Sequence, residues 1–253
     1  MRGASYCYLP ILPARGGAFQ AVGALSSVAR SRLTPLFDVP TPVLNNGKTF
    51  DRYLSERAEG IHQCWEPGCS VYIDVHDIDP DLRTSGGRQP IEYLADRLRQ
   101  HGCTPIPVTG TLADRGTDYV NAISALIAVQ RNGVCLRIAR DEIEEAELLR
   151  QSLGEMLDLL RCDPSEVDVV LDLRYVGRDS VERLRATTLD AIAVVDGVGV
   201  FRNVAIAGRH RVQDPLLLCN AHRGSIPSSV TLPVNRAQCC RWSGRASALC
   251  KVK

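Results

Sequence analysis

A chain of 253 residues, 45% of them hydrophobic, suits one large α/β barrel or two small domains and can bury a sizeable core. Its formal net charge of +1 gives no bulk attraction to nucleic acid or anionic membrane, so no nucleic-acid partner is expected. No stretch approaches the roughly 20 apolar residues that span a bilayer.

The run Tyr8-Leu9-Pro10-Ile11-Leu12-Pro13 is too short and too broken by proline for a signal sequence, so the chain is read as cytoplasmic. Its ten cysteines then need no disulfide account, and Cys7, Cys103 and Cys135 read as small buried hydrophobes. Seven short apolar, β-branched runs follow one another: 8–12, 33–39, 71–75, 104–108, 134–138, 167–173 and 200–206. Each is bounded by Gly, Pro, Asp or Asn. Helical spacing of apolar residues predicts helices over 50–65, 90–101, 118–131, 142–161 and 179–191. In the second of these Ile91, Leu94, Ala95 and Leu98 share a face and Gly102 stands where a C-cap belongs.

Strand and helix alternating at roughly 30-residue spacing means βαβ crossovers and a parallel sheet. A doubly wound sheet would place Gly-x-Gly-x-x-Gly after its first strand. The turn here is Ala14-Arg15-Gly16-Gly17-Ala18, which lacks that spacing, and Gly197-Val198-Gly199 precedes a strand. The fold class predicted is therefore α/β: a parallel (β/α) barrel, TIM-barrel-like, of about seven units and short of an eighth.

A barrel concentrates polar residues at the carboxyl ends of its strands. Asp38 ends the second run, Asp74 and His76 the third, and Asp172 and Arg174 the sixth, while Arg137 interrupts the fifth. Alternation puts Asp74 with His76, and Asp172 with Arg174, on a common face. Arg15, after the first strand, would join them. Buried charges must pair, so Arg137 among aspartates is expected to organise the group. The candidates divide into Asp74, His76 and Asp172 for catalysis and Arg15, Asp38, Arg137 and Arg174 for ligand binding. The competing reading is an ion-pair layer that only closes the mouth.

Absences narrow the chemistry. The lysines are Lys48, Lys251 and Lys253, none in one of the seven predicted strands, which argues against Schiff-base enzymes. One strand-end histidine, His76, falls short of a zinc hydrolase. No metal site and no cofactor is identified. The alternative is a divalent cation on Asp74, His76 and Asp172, whose oxygen ligands suit magnesium or manganese. Cys64 and Cys69 form a lone C-x4-C, read as a loop. Cys219, His222, Cys239, Cys240 and Cys250 have metal-ligating types at no recognised zinc spacing.

Several segments together resemble the beta-protein family of bacteriophages and bacterial mobile elements. They are Tyr8-Leu9-Pro10-Ile11-Leu12 with Arg15 and Gly17, Pro35-Leu36-Phe37-Asp38, Pro105-Ile106-Pro107-Val108, Gly133-Val134-Cys135-Leu136-Arg137-Ile138 and Val169-Val170-Leu171-Asp172-Leu173. The similarity runs in order over about residues 6–208, and the Gly-Val-Cys-Leu-Arg-Ile segment is its most specific part. It implies a phage or defence setting and a partner protein encoded nearby, since the family's namesake counteracts a killing protein. It implies no catalytic activity. The chain departs from the family pattern at Arg15 and Ala18, where a lysine and an acid are favoured. The barrel-enzyme alternative would take an anionic or phosphorylated small molecule.

Near Gly208 charge, periodicity and resemblance all change. After it come eight Lys/Arg and one acid, Asp214. Residues 1–208 are expected to form the barrel-like domain. Residues 209–253 are expected to form an irregular, basic, Cys-rich tail that is disordered or the product of a shifted frame. A barrel open at strands one and seven exposes strand edges that invite homo-oligomers.

Overall fold

The computed structural model describes residues 8–44, 47–177, 179–209 and 248–251. The strands are β1 (Ile11–Pro13), β2 (Leu36–Asp38), β3 (Ser70–Asp74), β4 (Thr104–Thr109), β5 (Val134–Ala139), β6 (Val167–Tyr175), β7 (Asn203–Arg209) and β8 (Ala248–Lys251). The helices are α1 (Gly16–Gly23), α2 (Ser27–Arg30), α3 (Phe50–Cys64), α4 (Pro90–Gln100), α5 (Leu112–Arg115), α6 (Thr117–Gln130), α7 (Arg140–Ile143), α8 (Ala146–Leu160) and α9 (Val181–Val198). The sheet runs β1 to β8 in chain order. The first seven strands are parallel, and β8 pairs antiparallel to β7 over Ala205–Gly208. They curl into an open half-barrel, alternating with helices as the sequence pattern required.

Alternation along the strands gives the sheet two apolar faces. Leu12, Phe37, Ile73, Leu136 and Leu171 point outward into the core shared with the helices. Ile11, Leu36, Tyr72, Ile106, Val108, Cys135, Val170 and Ala205 fill the inside as a separate cluster. Both faces are buried, so the strands read as continuous apolar runs instead of strict alternation.

Local chemistry sets the helix ends. Thr49 caps α3 and Ser180 caps α9, each accepting a backbone N–H from its first turn. Gln89 and Glu92 form a reciprocal capping box ahead of Pro90, and Ile91, Leu94, Ala95 and Leu98 of α4 are buried. Burying each of the larger aliphatic side chains contributes about 1.5–3 kcal/mol.

The boundaries differ from the sequence pattern in instructive places. Strand seven begins at Asn203 and not Val200, whose side chain is 84% exposed. α9 extends seven residues past Ala191, because Val194 and Val195 continue its buried face. The stretch from Glu142 breaks into α7 and α8, since Glu145 adopts extended backbone between them. The short helices α1, α2 and α5 carry too few apolar residues to show a period.

Cys64, Cys103 and Cys135 are buried free thiols, and burial pushes Cys64 up to about 12 and Cys135 well above its ordinary value. Cys64 ends α3, so only the rest of the Cys64–Cys69 stretch is loop. Cys7 lies outside the described residues, as does the expected tail over 209–253 apart from Arg209 and β8. No described helix is long and apolar enough to cross a membrane.

Candidate functional site

Each of four strands carries a charged residue two positions beyond an inward apolar one: Leu36 then Asp38, Tyr72 then Asp74, Cys135 then Arg137, Val170 then Asp172. The pleat sends all four into the barrel, one layer above its apolar filling. The sheet's curl then brings them together at the carboxyl-end mouth.

Arg137 is the hub. Its Nη1 donates to Asp38 Oδ1 at 2.6 Å and to Asp74 Oδ2 at 2.8 Å, while Nε and Nη2 donate to Asp172 Oδ2 at 2.9 and 2.7 Å. Asp74 is fully buried and also receives Arg115, whose Nη1 lies 2.9 Å from Oδ1 and whose Nη2 lies 3.2 Å from Oδ2. The N–H of His76 donates to Asp74 Oδ1 and the N–H of Arg174 to Asp172 Oδ1.

The two central carboxyls diverge electrostatically. Burial alone would raise Asp74, but the charges of Arg115 and Arg137 outweigh it and hold the carboxyl well below the usual range. Asp38 has one guanidinium and two acidic neighbours. Burial, opposed by Arg137 and reinforced by Asp74 and Asp77, pushes it up to about 7. Charge balance points the same way. Asp38, Asp74, Asp172 and Asp114 set four carboxylates against the buried guanidiniums of Arg115 and Arg137, so acid is in excess and a proton on Asp38 reduces it. A third cation, Arg174, is 38% exposed and reaches Asp172 only at 3.7 Å.

Thus Asp38, Asp74, Arg137 and Asp172 come together, while the other candidates lie at the edges. Arg174 takes a left-handed backbone, φ 56°, where β6 bulges between Asp172 and Tyr175. Its Nε stays within 3.7 Å of Asp172 Oδ2. His76 sits in the turn after β3 with Nδ1 3.9 Å from Asp114 Oδ2. Arg15 precedes α1, exposed, and makes no side-chain hydrogen bond or ion pair among the described residues.

Every Asp74 oxygen and both Asp172 oxygens face guanidinium or backbone donors. Among the described residues no group of three or more His, Cys, Asp or Glu is arranged to hold a metal ion.

Sequence reasoning missed Arg115 and Asp114. The run of β4 carries no charge to mark its end, although a barrel places function in the loop that follows it too. It also missed a second charged group at the opposite end of the barrel. Asp168, 1% exposed, accepts from Tyr72 Oη at 2.7 Å, from Arg202 Nε and Nη2 at 2.9 and 2.6 Å, and from Asn203 Nδ2 at 2.7 Å. Its alternation with Val170 and Asp172 was a readable signal.

A family model described as Beta protein matches residues 8–209, the whole of the parallel barrel and its mouth. This chain belongs to the Beta protein family. Within this family member the segment Gly133–Ile138 has a physical rationale. Gly133 has φ 75°, and a Cβ there would lie 2.2 Å from the Glu166 carbonyl oxygen. Val134, Leu136 and Ile138 pack outward, Cys135 packs inward, and Arg137 gathers the mouth.

No curated protein matches the chain. Among solved structures, the apo form of 3-keto-D-glucoside 4-epimerase YcjR from E. coli is similar over 72% of this chain and 76% of its own. The two are 16% identical with a TM-score of 0.30, a likeness that carries no argument about function.

Proposed function

We propose that this Beta protein family member binds a small polar molecule at the barrel mouth and exchanges a proton with it through Asp38. The observation that carries this reading is the state of Asp38. Its side chain is 27% exposed at the mouth, held by Arg137 at 2.6 Å, with its proton affinity raised to about 7. A carboxyl that gains and loses a proton near neutrality suits general acid and base work. Arg15 and Arg174, exposed on either side, suit an anionic or phosphorylated group on the ligand. Arg137 and Arg115 are already committed to carboxylates and serve as the frame that positions Asp38.

Carbon-13 NMR of the Asp38 carboxyl tests the first half: a midpoint near 7 is expected, and a midpoint near 4 overturns it. A melting-temperature screen with phosphorylated sugars tests the second: stabilisation lost in Arg15→Ala and Arg174→Ala is expected. No stabilisation by any member removes the anionic-ligand reading.

A second reading comes from the family. The chain then acts as a phage or mobile-element accessory protein that binds a partner encoded beside it, counteracting a killing protein or serving in phage defence. Val43 and Leu44, in the loop between β2 and α3, are 68% and 43% exposed and favour it. Capture of the neighbouring gene product that fails in Val43→Asp/Leu44→Asp and persists in Asp38→Asn would establish this reading over the first.

A further inference from the structure

At the amino end of the barrel, away from the mouth, three cysteines pack on the outer side of the sheet. Cys64 ends α3, Cys69 stands just before β3 and Cys103 just before β4. Cys64 and Cys69 are the C-x4-C pair of the sequence, but the strand register makes a different pair. Ser70 pairs with Thr104, so Cys69 and Cys103 each stand one residue before paired positions on neighbouring parallel strands. Backbone bonds hold them there: the Thr104 N–H donates to the Cys69 carbonyl at 3.1 Å, and the Gly68 N–H to the Gly102 carbonyl at 2.8 Å. Neighbouring strands lie about 4.8 Å apart, inside the about 4.4–6.8 Å between Cα atoms that a disulfide spans.

The three thiols are not equivalent. Cys69 is half-buried, so solvent reaches it, whereas Cys103 is 4% exposed. Burial, and next the charge of an ionised Cys69, hold the Cys103 thiol above its ordinary value. That second opposition disappears once Cys69 carries a neutral cap. Cys64 is set apart: its Sγ donates to the Ile61 carbonyl at 3.3 Å within α3, and burial pushes it up to about 12, the mark of an inert structural thiol.

We infer that Cys69 and Cys103 form a reversible oxidation site, closing to a disulfide that ties the start of β3 to the start of β4 across α4. The oxidant is a small-molecule disulfide. The Cys69 thiolate attacks one of its sulfurs, expelling a first small thiolate and leaving a mixed disulfide. The Cys103 thiolate then attacks the Cys69 sulfur and expels the second. The protein gives up two electrons and two protons, and the small disulfide leaves as two thiols. The exposed cysteine captures the oxidant and the buried one, already beside it, closes the bridge.

Non-reducing peptide mapping of the full chain tests the site, after incubation with oxidised glutathione and alkylation of the remaining thiols. A linked Cys69–Cys103 peptide is expected, lost on return to excess reduced glutathione. Cys103→Ser is expected to halt with glutathione on Cys69. Because Cys103 is buried and its variant can lose the fold, Cys69→Ser serves as the second arm: Cys103 is then expected to take up glutathione at least tenfold more slowly than Cys69 does in the unaltered chain. Cys64→Ser is expected to leave the yield of linked peptide within twofold. The inference is overturned by glutathione that stays on Cys69 of the unaltered chain without closure, by Cys64 as the main partner of Cys69, by equally fast uptake at Cys103 in Cys69→Ser, or by no linked Cys69–Cys103 peptide at any ratio of oxidised to reduced glutathione.

Discussion

Arg137 and Asp38 are 99 residues apart, on strands that are not sheet neighbours, and their side chains meet at 2.6 Å. The contact crosses the interior from β5 to β2, so it exists only because the sheet curls. The same guanidinium holds Asp74 and Asp172, so among the described residues it is the side chain that ties β2, β3, β5 and β6 together at the mouth.

Removing that hub leaves Asp74 with one guanidinium, Arg115, and Asp172 with a backbone N–H and the more distant Arg174. Arg137→Leu is expected to destabilise the protein by about 3–5 kcal/mol, the usual cost of stranding a buried charge. Asp38→Asn keeps an acceptor for Arg137 and removes the carboxyl that is hardest to ionise, so it is expected to cost under about 1 kcal/mol. Urea unfolding at neutral pH measures both. Equal losses would show that Arg137 is not the hub.

The raised Asp38 carboxyl makes stability fall as pH rises. Between about 4 and 7 the native state keeps the proton that the unfolded chain releases, so the unfolded state binds fewer protons and is favoured by rising pH. The slope is at most about 1.4 kcal/mol per pH unit for one group. Asp74 acts in the opposite sense. Its depressed carboxyl contributes stability above the unfolded value, which is lost as pH falls below about 4. Unfolding midpoints from pH 4.5 to 7.5 should show the slope in the unaltered protein and its absence in Asp38→Asn. An identical slope in both would assign it elsewhere.

At the opposite end of the barrel, Asp168 accepts from three side chains. Asp168→Ala is expected to cost about 1–3 kcal/mol, because it removes the buried acceptor that Tyr72, Arg202 and Asn203 share. If the charge matters more than the shape, Asp168→Asn recovers little of that loss. Thermal or urea unfolding of the pair decides; full recovery by asparagine would make the charge incidental.

Gly133 and Arg174 test the backbone. Gly133→Ala combines a positive φ with a Cβ 2.2 Å from a carbonyl oxygen, and is expected to cost about 2 kcal/mol or more. Arg174 has the same kind of φ without being glycine, so Arg174→Gly is expected to hold or raise stability by about 0.5–1 kcal/mol. The sign of these two changes, read from unfolding midpoints, separates required glycine from strain at the mouth.

Much of this was legible in the sequence. The alternation of apolar strands with amphipathic helices determines parallel βαβ units, because each pattern buries one kind of surface at one period. The same alternation puts Asp38, Asp74, Arg137 and Asp172 on the inner face. Asp168 is equally readable from its spacing to Val170 and Asp172, although it stands at the amino end of its strand, where a barrel does not gather function. Tertiary structure decided the rest. Only the curl of the sheet shows that Arg137 reaches Asp38, that Arg115 from an uncharged-looking strand end clamps Asp74, and that Arg174 takes a left-handed backbone at a bulge. Contacts between residues far apart in the chain follow from where strands sit around the barrel, and the proton affinity of Asp38 follows from those contacts. Sequence period sets which way a side chain points; the distances that fix charge state arise only when the strands are closed around one another.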